Sequence, residues 1–290
     1  FKSALEANPS VVQFWLSYLD TLIKLDRLND AKALFEQSKM MGISGDGFEQ
    51  IANKLGLLHQ PPATKNVNIQ EPPQEQLDEL INLFKKKQLK RVFDDAQILT
   101  KKYPKSLILC NLMGASGAQI GELDKAILAF QNAISIKPDF VDAYSNMGNA
   151  LKAKGKFSEA IEAFQRALVL KPDYAEVFNN MGNALKEQGK LVEAIEAFQK
   201  AISLKSDFVE AHYNIGNALN DQGNLDEAIE AYKKVLLIKP DYARAYRKMG
   251  ITLNLKGKLA EAIQAFQKAI LLKSDFAEAH NNLGVAYHEQ

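Results

Sequence analysis

From Val141 onward the chain alternates polar residues with small or apolar ones at Tyr144, Met147, Gly148 and Leu151. The spacing i, i+3, i+4, i+7 puts those four on one face of a helix and predicts an amphipathic element that buries them. Gly155 interrupts the pattern. A second helical run then carries Ala160 and Phe164, four residues apart on a shared face, and ends at Lys171-Pro172-Asp173. The predicted unit is helix, turn, helix, stop.

This unit recurs with a period of 34 residues. Gly114, Gly148, Gly182, Gly216, Gly250 and Gly284 keep the step, as do Ala126, Ala160, Ala194, Ala228 and Ala262. Phe130, Phe164, Phe198, Tyr232 and Phe266 follow, and the turn glycines are Gly121, Gly155, Gly189, Gly223 and Gly257. A glycine in mid-helix costs about 1 kcal/mol against alanine, so its recurrence predicts a close approach, with the alanine on the second helix as the expected counterpart. The turn glycine lets the chain leave the first helix. Proline stops the second, and the Asp after it is expected to cap the next helix. Asp173 with Glu176, Asp207 with Glu210, and Asp275 with Glu278 have capping-box spacing.

These columns resemble the tetratricopeptide repeat family, which shares the period and the small, small, aromatic and proline positions. The resemblance implies an all-α fold, tandem helix–turn–helix repeats forming a right-handed superhelical solenoid. Five full repeats cover 107–276, and the first helix of a sixth covers 277–290. Residues 73–106 read as a degenerate repeat with Val92 and Ala96 at the alanine and aromatic positions. Residues 1–57 read as an N-terminal unit: Trp15, Ala31 and Phe35 hold the family spacing, Phe1 to Pro9 is the tail of a preceding helix, and Asp46 to Leu57 forms an extra one. The proline-rich stretch 58–74 is the expected linker to an array spanning 75–290.

Composition excludes some roles. Formal net charge is +1, from 36 basic and 35 acidic residues, which argues against nucleic-acid binding. No apolar run approaches the roughly 18 residues of a membrane span. Cys110 is the one cysteine, so an internal disulfide is impossible. That fits a reducing compartment and leans toward the cytoplasm without fixing a location. The chain begins at Phe1 and stops at Gln290 in mid-pattern, so it reads as a fragment, and truncated repeat ends are expected to favour self-association.

In the family, the first-helix face opposite the core lines a concave groove. Here that face recurrently carries asparagine: Asn146, Asn180, Asn214 and Asn282 at the sixth position, and Asn149, Asn183 and Asn217 at the ninth. Amides offer donors and an acceptor to an extended backbone, a pattern similar to the asparagine ladder of O-linked N-acetylglucosamine transferase. Duplication accounts equally for the recurrence, as inherited solvated polarity. One repeat departs from it. Its first helix carries Arg244, Arg247 and Lys248, with Arg244 replacing the acid found at Asp142, Glu176, Glu210 and Glu278. The resemblance to co-chaperones that clamp a C-terminal carboxylate maps Asn183, Asn214, Arg244 and Lys248 onto clamp positions, with Asn179 where a lysine is expected. An exposed patch paired with Glu210 is the plainer alternative.

No cofactor, metal or catalytic constellation is expected. His212 and His280 are two repeats apart and occupy the fourth, aromatic position; His59 and His288 lack partners at ligand spacing. Cys110 also takes the fourth position, as a packing residue. Gly42 to Gly47 lacks the Lys-Ser/Thr of a phosphate loop. Lys85 to Arg91 reads as a solvated turn, and Asn8-Pro9-Ser10 fails as a glycosylation site. The expected function is a scaffold holding a protein or peptide in the groove, with an acidic or carboxylate anchor. The alternatives are the substrate-recruiting region of a larger glycosyltransferase or sulfotransferase, and a self-assembling structural module.

Overall fold

In each repeat a glycine and an aromatic, one on each helix, decide how closely the pair packs. The computed structural model describes residues 12–25, 27–40, 46–55 and 71–290, which form helices and turns. The chain divides into two compact units, Phe1–Ile69 and Gln70–Gln290.

In the first unit, α1 (Val12–Lys24), α2 (Leu28–Met40) and α3 (Asp46–Lys54) enclose a core of Trp15, Leu19, Ala31, Phe35, Phe48 and Ile51. The Phe35 and Phe48 rings meet at 5.8 Å. Asp20 on α1 takes Lys24 at 2.8 Å and Lys54 of α3 at 3.1 Å. The Phe1 to Pro9 tail, the Asn8-Pro9-Ser10 site, Gly42, His59 and the proline-rich stretch up to residue 70 lie outside the described residues.

The second unit begins with a helix at Gln74, within the stretch expected to be linker, and Pro73 is its N-cap residue. Six helix pairs and a single last helix follow in order: α4 (Gln74–Lys85), α5 (Leu89–Lys102), α6 (Leu107–Gln119), α7 (Leu123–Ile136), α8 (Val141–Ala153), α9 (Phe157–Leu170), α10 (Ala175–Glu187), α11 (Leu191–Leu204), α12 (Val209–Asp221), α13 (Leu225–Ile238), α14 (Ala243–Leu255), α15 (Leu259–Leu272) and α16 (Ala277–Glu289). The array is an all-α repeat superhelix.

In the five full repeats the partner of the core glycine is not the alanine expected from the sequence but the aromatic sixteen residues on. A Cβ added to Gly148 would sit 2.6 Å from the Phe164 ring, and one on Gly216 would sit 2.5 Å from Tyr232. The aromatic ring edge lies where a side chain would be, so glycine is the residue that fits. The degenerate repeat exchanges the sizes: Leu80 stands in the glycine column and Ala96 in the aromatic column, both buried. Phe93, one residue past the alanine column, supplies the ring and reaches within 2.9 Å of a Cβ placed on Gly117.

The turn glycines take φ between +77° and +86°. At Gly155 the left-handed residue lets Lys156 N donate to Leu151 O at 2.9 Å, closing the helix end. In the degenerate repeat that position is Lys87, held at φ +58°.

The Asp after the second helix does not cap the next one. The N-cap residues are Phe140, Tyr174, Phe208, Tyr242 and Phe276, one residue later, and none makes a side-chain cap bond. Lys-Pro-Asp or Lys-Ser-Asp is instead the body of a four-residue turn, closed at Phe140 N to Lys137 O (3.1 Å) and Phe208 N to Lys205 O (3.1 Å). Each turn lysine lies over the cap ring, as Lys171 does over Tyr174 at 4.4 Å. Helices end at the same point with Ser206 or Ser274 as with proline, so proline is not what stops them.

Candidate functional site

First helices of successive repeats touch one another (α6 with α8, α8 with α10, and so on to α14 with α16), whereas successive second helices do not pack together in this way. A row of helices that meets its neighbours lies on the inside of the curve. The first helices therefore line the concave side, and the side-chain hydrogen bonds that join them run through positions five and six and positions twelve and thirteen.

A register of 35 residues links these positions from one repeat to the next. Asn214 Nδ2 donates to Asn179 Oδ1 at 2.9 Å, and Arg247 Nη1 donates to Asn282 Oδ1 at 3.4 Å. In each case position five of one repeat meets position six of the following one. Position twelve meets position thirteen in the same way: Asn254 Nδ2 donates to Glu289 Oε2 at 2.8 Å. Burial pulls the Lys152 ammonium below the ordinary lysine range, and Glu187 opposes that pull across the same register.

The asparagine ladder is therefore not uniform. Asn214 and Asn282 are joined to a neighbouring repeat, and Asn217 Oδ1 accepts the Tyr232 hydroxyl at 2.9 Å. Asn146, Asn149, Asn180 and Asn183 make no side-chain hydrogen bond to the protein among the described residues. The open amides thus lie on α8 and α10.

Arg244, Arg247 and Lys248 crowd onto α14, and none forms an ion pair among the described residues. Arg244 is exposed; Arg247 and Lys248 are partly buried. The Arg247 guanidinium lies 5.4 Å from the Phe276 ring, and its Nε is buried without a partner. Burial lowers the Lys248 pKa; Arg247 and Lys186 push it further down, and Asp221 opposes them. The three cations stand in their own mutual field, which favours an incoming anion.

Sequence reasoning named Asn179 only as the place where a lysine was expected, not as the buried amide that holds Asn214, and it missed Tyr213, which occupies position five between α10 and α14. The Tyr213 ring meets Tyr232 at 6.0 Å and Tyr242 at 5.5 Å, edge-on to the latter. Thr252 Oγ1 donates to Asn220 Oδ1 at 2.8 Å. The available signal was the departure from column identity: tyrosine among Asn, Ser and Arg, and threonine where most repeats have alanine.

A cavity of about 630 Å³ lies elsewhere, among second helices above His212, Ile215 and Leu219. His212 is smaller than the tyrosine or phenylalanine at its position in other repeats. Its Nε2 lies 3.0 Å from Ser206 O, and His280 repeats the arrangement with Ser274 O at 2.9 Å. The cavity rim is self-paired through Lys233–Glu230 and Lys258–Glu261, which leaves it little to offer a charged ligand. No group of three or more His, Cys, Asp or Glu residues is placed to hold a metal among the described residues. No described helix is long and apolar enough to cross a membrane.

Several solved structures share this architecture. The MamA crystal structure is 31% identical, has a TM-score of 0.53, and is matched over 57% of this chain and 97% of its own. YrrB, described as a TPR protein with an unusual peptide-binding site, is 24% identical with a TM-score of 0.52, over 64% of this chain and 96% of its own. A chain of the APC/C hetero-tetramer Cut9–Hcn1 is 19% identical with a TM-score of 0.61, over 98% of this chain and 57% of its own. No curated protein matches the chain. Family models for the TPR repeat match residues 118–155, 148–189, 182–219 and 252–290, and the tetratricopeptide repeat model matches 209–242. With the glycine–aromatic pairs, the left-handed turns and more than half of the sequence in agreement, the chain belongs to the tetratricopeptide repeat family.

Proposed function

We propose that the array is a protein-interaction scaffold that holds an extended polypeptide segment along the concave first helices. The open amides of Asn146, Asn149, Asn180 and Asn183 contact its backbone, and Arg244, Arg247 and Lys248 anchor an acidic side chain or a C-terminal carboxylate. The observation that carries this reading is the unpaired cation cluster on α14. Among the described residues, some exposed lysines of the array pair with a nearby carboxylate, as in Lys154–Asp124 and Lys256–Asp226, and others do not; α14 differs in gathering three cations on one helix that has no acidic residue of its own. Leaving three cations without an acid is unfavourable for the free protein and favourable for a complex with an anion.

The test is binding to a peptide library offered with free and with amidated C-termini, at low and moderate salt. Expected hits carry an acid or a free carboxylate, weaken with salt, and lose at least tenfold in affinity in an Arg244→Ala, Lys248→Ala variant. Binding that ignores both charge and salt would overturn the anchor. Dependence on Asn180 and Asn183 alone would leave a groove that reads only backbone.

A further inference from the structure

Residues that break the repeat pattern come from two different repeats and converge on one step of the groove. Tyr213 stands where the other first helices of the array carry Leu77, Asn111, Ser145, Asn179, Arg247 and Asn281. Tyr232 is the one tyrosine in a column of phenylalanines. Both lie in the repeat before the cation helix, and Tyr242, which packs edge-on against Tyr213, is the N-cap residue of that helix. Lys248 follows Tyr213 by the same 35 residues that join Asn179 to Asn214 and Arg247 to Asn282. Arg244 and Arg247 act on the Tyr213 hydroxyl, opposing the upward push of its burial. Between α12 and α14, the groove thus has an aromatic wall beside a bank of cations.

Resting on the scaffold reading above, we infer that this step is a composite pocket for an acidic residue with an aromatic neighbour, its carboxylate on Arg244 and Lys248 and its ring against Tyr213. The two halves suit different parts of one ligand. The cations attract the carboxylate and set its approach. The half-buried Tyr213 ring, already fixed by Tyr232 and Tyr242, offers an edge or face to a further ring without new ordering of its own. An asparagine at this position, as Asn179 in the preceding repeat, would keep the charge attraction and lose the aromatic wall.

The experiment compares three fluorescent peptide series in one neutral host sequence: Glu beside Phe, Glu beside Ala, and Gln beside Phe. Each is titrated into the full chain and into Tyr213→Asn and Tyr213→Phe variants whose helical content and melting are checked first. The expected order is Glu–Phe tightest, with Glu–Ala about five- to tenfold weaker, the range of a good ring pair, and Gln–Phe weakest. Tyr213→Phe keeps the Glu–Phe preference; Tyr213→Asn removes it while Glu still outbinds Gln. If Glu–Phe and Glu–Ala bind alike in the unmodified protein, or if Tyr213→Asn retains the preference, the pocket is refuted and the scaffold reading stands. If Glu and Gln peptides bind alike, the acidic anchor and this pocket fall together.

Discussion

Asn179 and Asn214 are joined by a 2.9 Å amide hydrogen bond between consecutive first helices, with Asn179 almost fully buried. It fixes the register of two repeats and takes two amides out of the pool available to a ligand. Truncating Asn179 to alanine removes the acceptor and leaves Asn214 partly buried and unpaired. The expected loss is about 1–2 kcal/mol in stability, measured by chemical denaturation, with Asn180→Ala close to neutral as the control.

Glycine substitutions should separate by whether a ring faces them. Gly182→Ala places a methyl 2.6 Å from the fully buried Phe198 ring, and overpacking of about 1–3 kcal/mol exceeds the helix gain of about 1 kcal/mol. Gly284 has nothing within 4 Å, so Gly284→Ala should stabilise by up to about 1 kcal/mol. Equal and favourable effects at both sites, read from melting curves, would count against the ring-edge explanation.

The left-handed turn gives an opposite pair. Lys87 adopts φ +58°, at the column held by glycine in the regular repeats. Lys87→Gly should raise stability by about 0.5–1 kcal/mol, the left-handed strain of about 1–2 kcal/mol less the entropic cost of glycine. Gly155→Ala, at φ +78° with open space around it, should lower stability by about 1 kcal/mol although no atom clashes. Hydrogen exchange in the flanking helices would show both changes locally.

High pH should weaken the array around Tyr213, Tyr232 and Tyr242. Burial raises all three hydroxyls above the ordinary value of 10.0, Tyr232 most. A raised folded-state pKa means full stability below pH 10.0 and loss above it, because the unfolded chain releases protons that the folded one retains. Each such tyrosine contributes at most about 1.4 kcal/mol per pH unit. Melting between pH 8 and 11.5 should show a shallower decline in Tyr232→Phe than in the unmodified protein; identical slopes would rule out Tyr232 as a source.

Lys248 should trade stability for binding. Its pKa is lowered by burial and by Arg247 and Lys186, so the charged form is disfavoured on folding. At neutral pH, Lys248→Met should melt higher than the unmodified protein while binding acidic peptides more weakly. A variant that melts lower would place Lys248 among the structural residues.

Much of this protein was legible in its sequence because a 34-residue period repeats each local decision several times. The helix faces and the turn glycines depend on short-range rules, which a linear reading captures. The same reading assigned the glycine to its alanine and the cap to Asp139 and Asp173. Both outcomes turn on an aromatic ring: Phe164 of the second helix against Gly148, and Phe140 or Tyr174 at the N-cap itself, under the turn lysine. In the groove, sequence supplied the asparagine columns and the cations of α14. Tertiary structure decided which amides are spent between repeats, because a bond spanning 35 residues exists only once two repeats are stacked. It also brought Tyr213 and Tyr232 of one repeat beside the cation helix of the next. Periodicity determines what each repeat is; only the contact between repeats determines what its groove can hold.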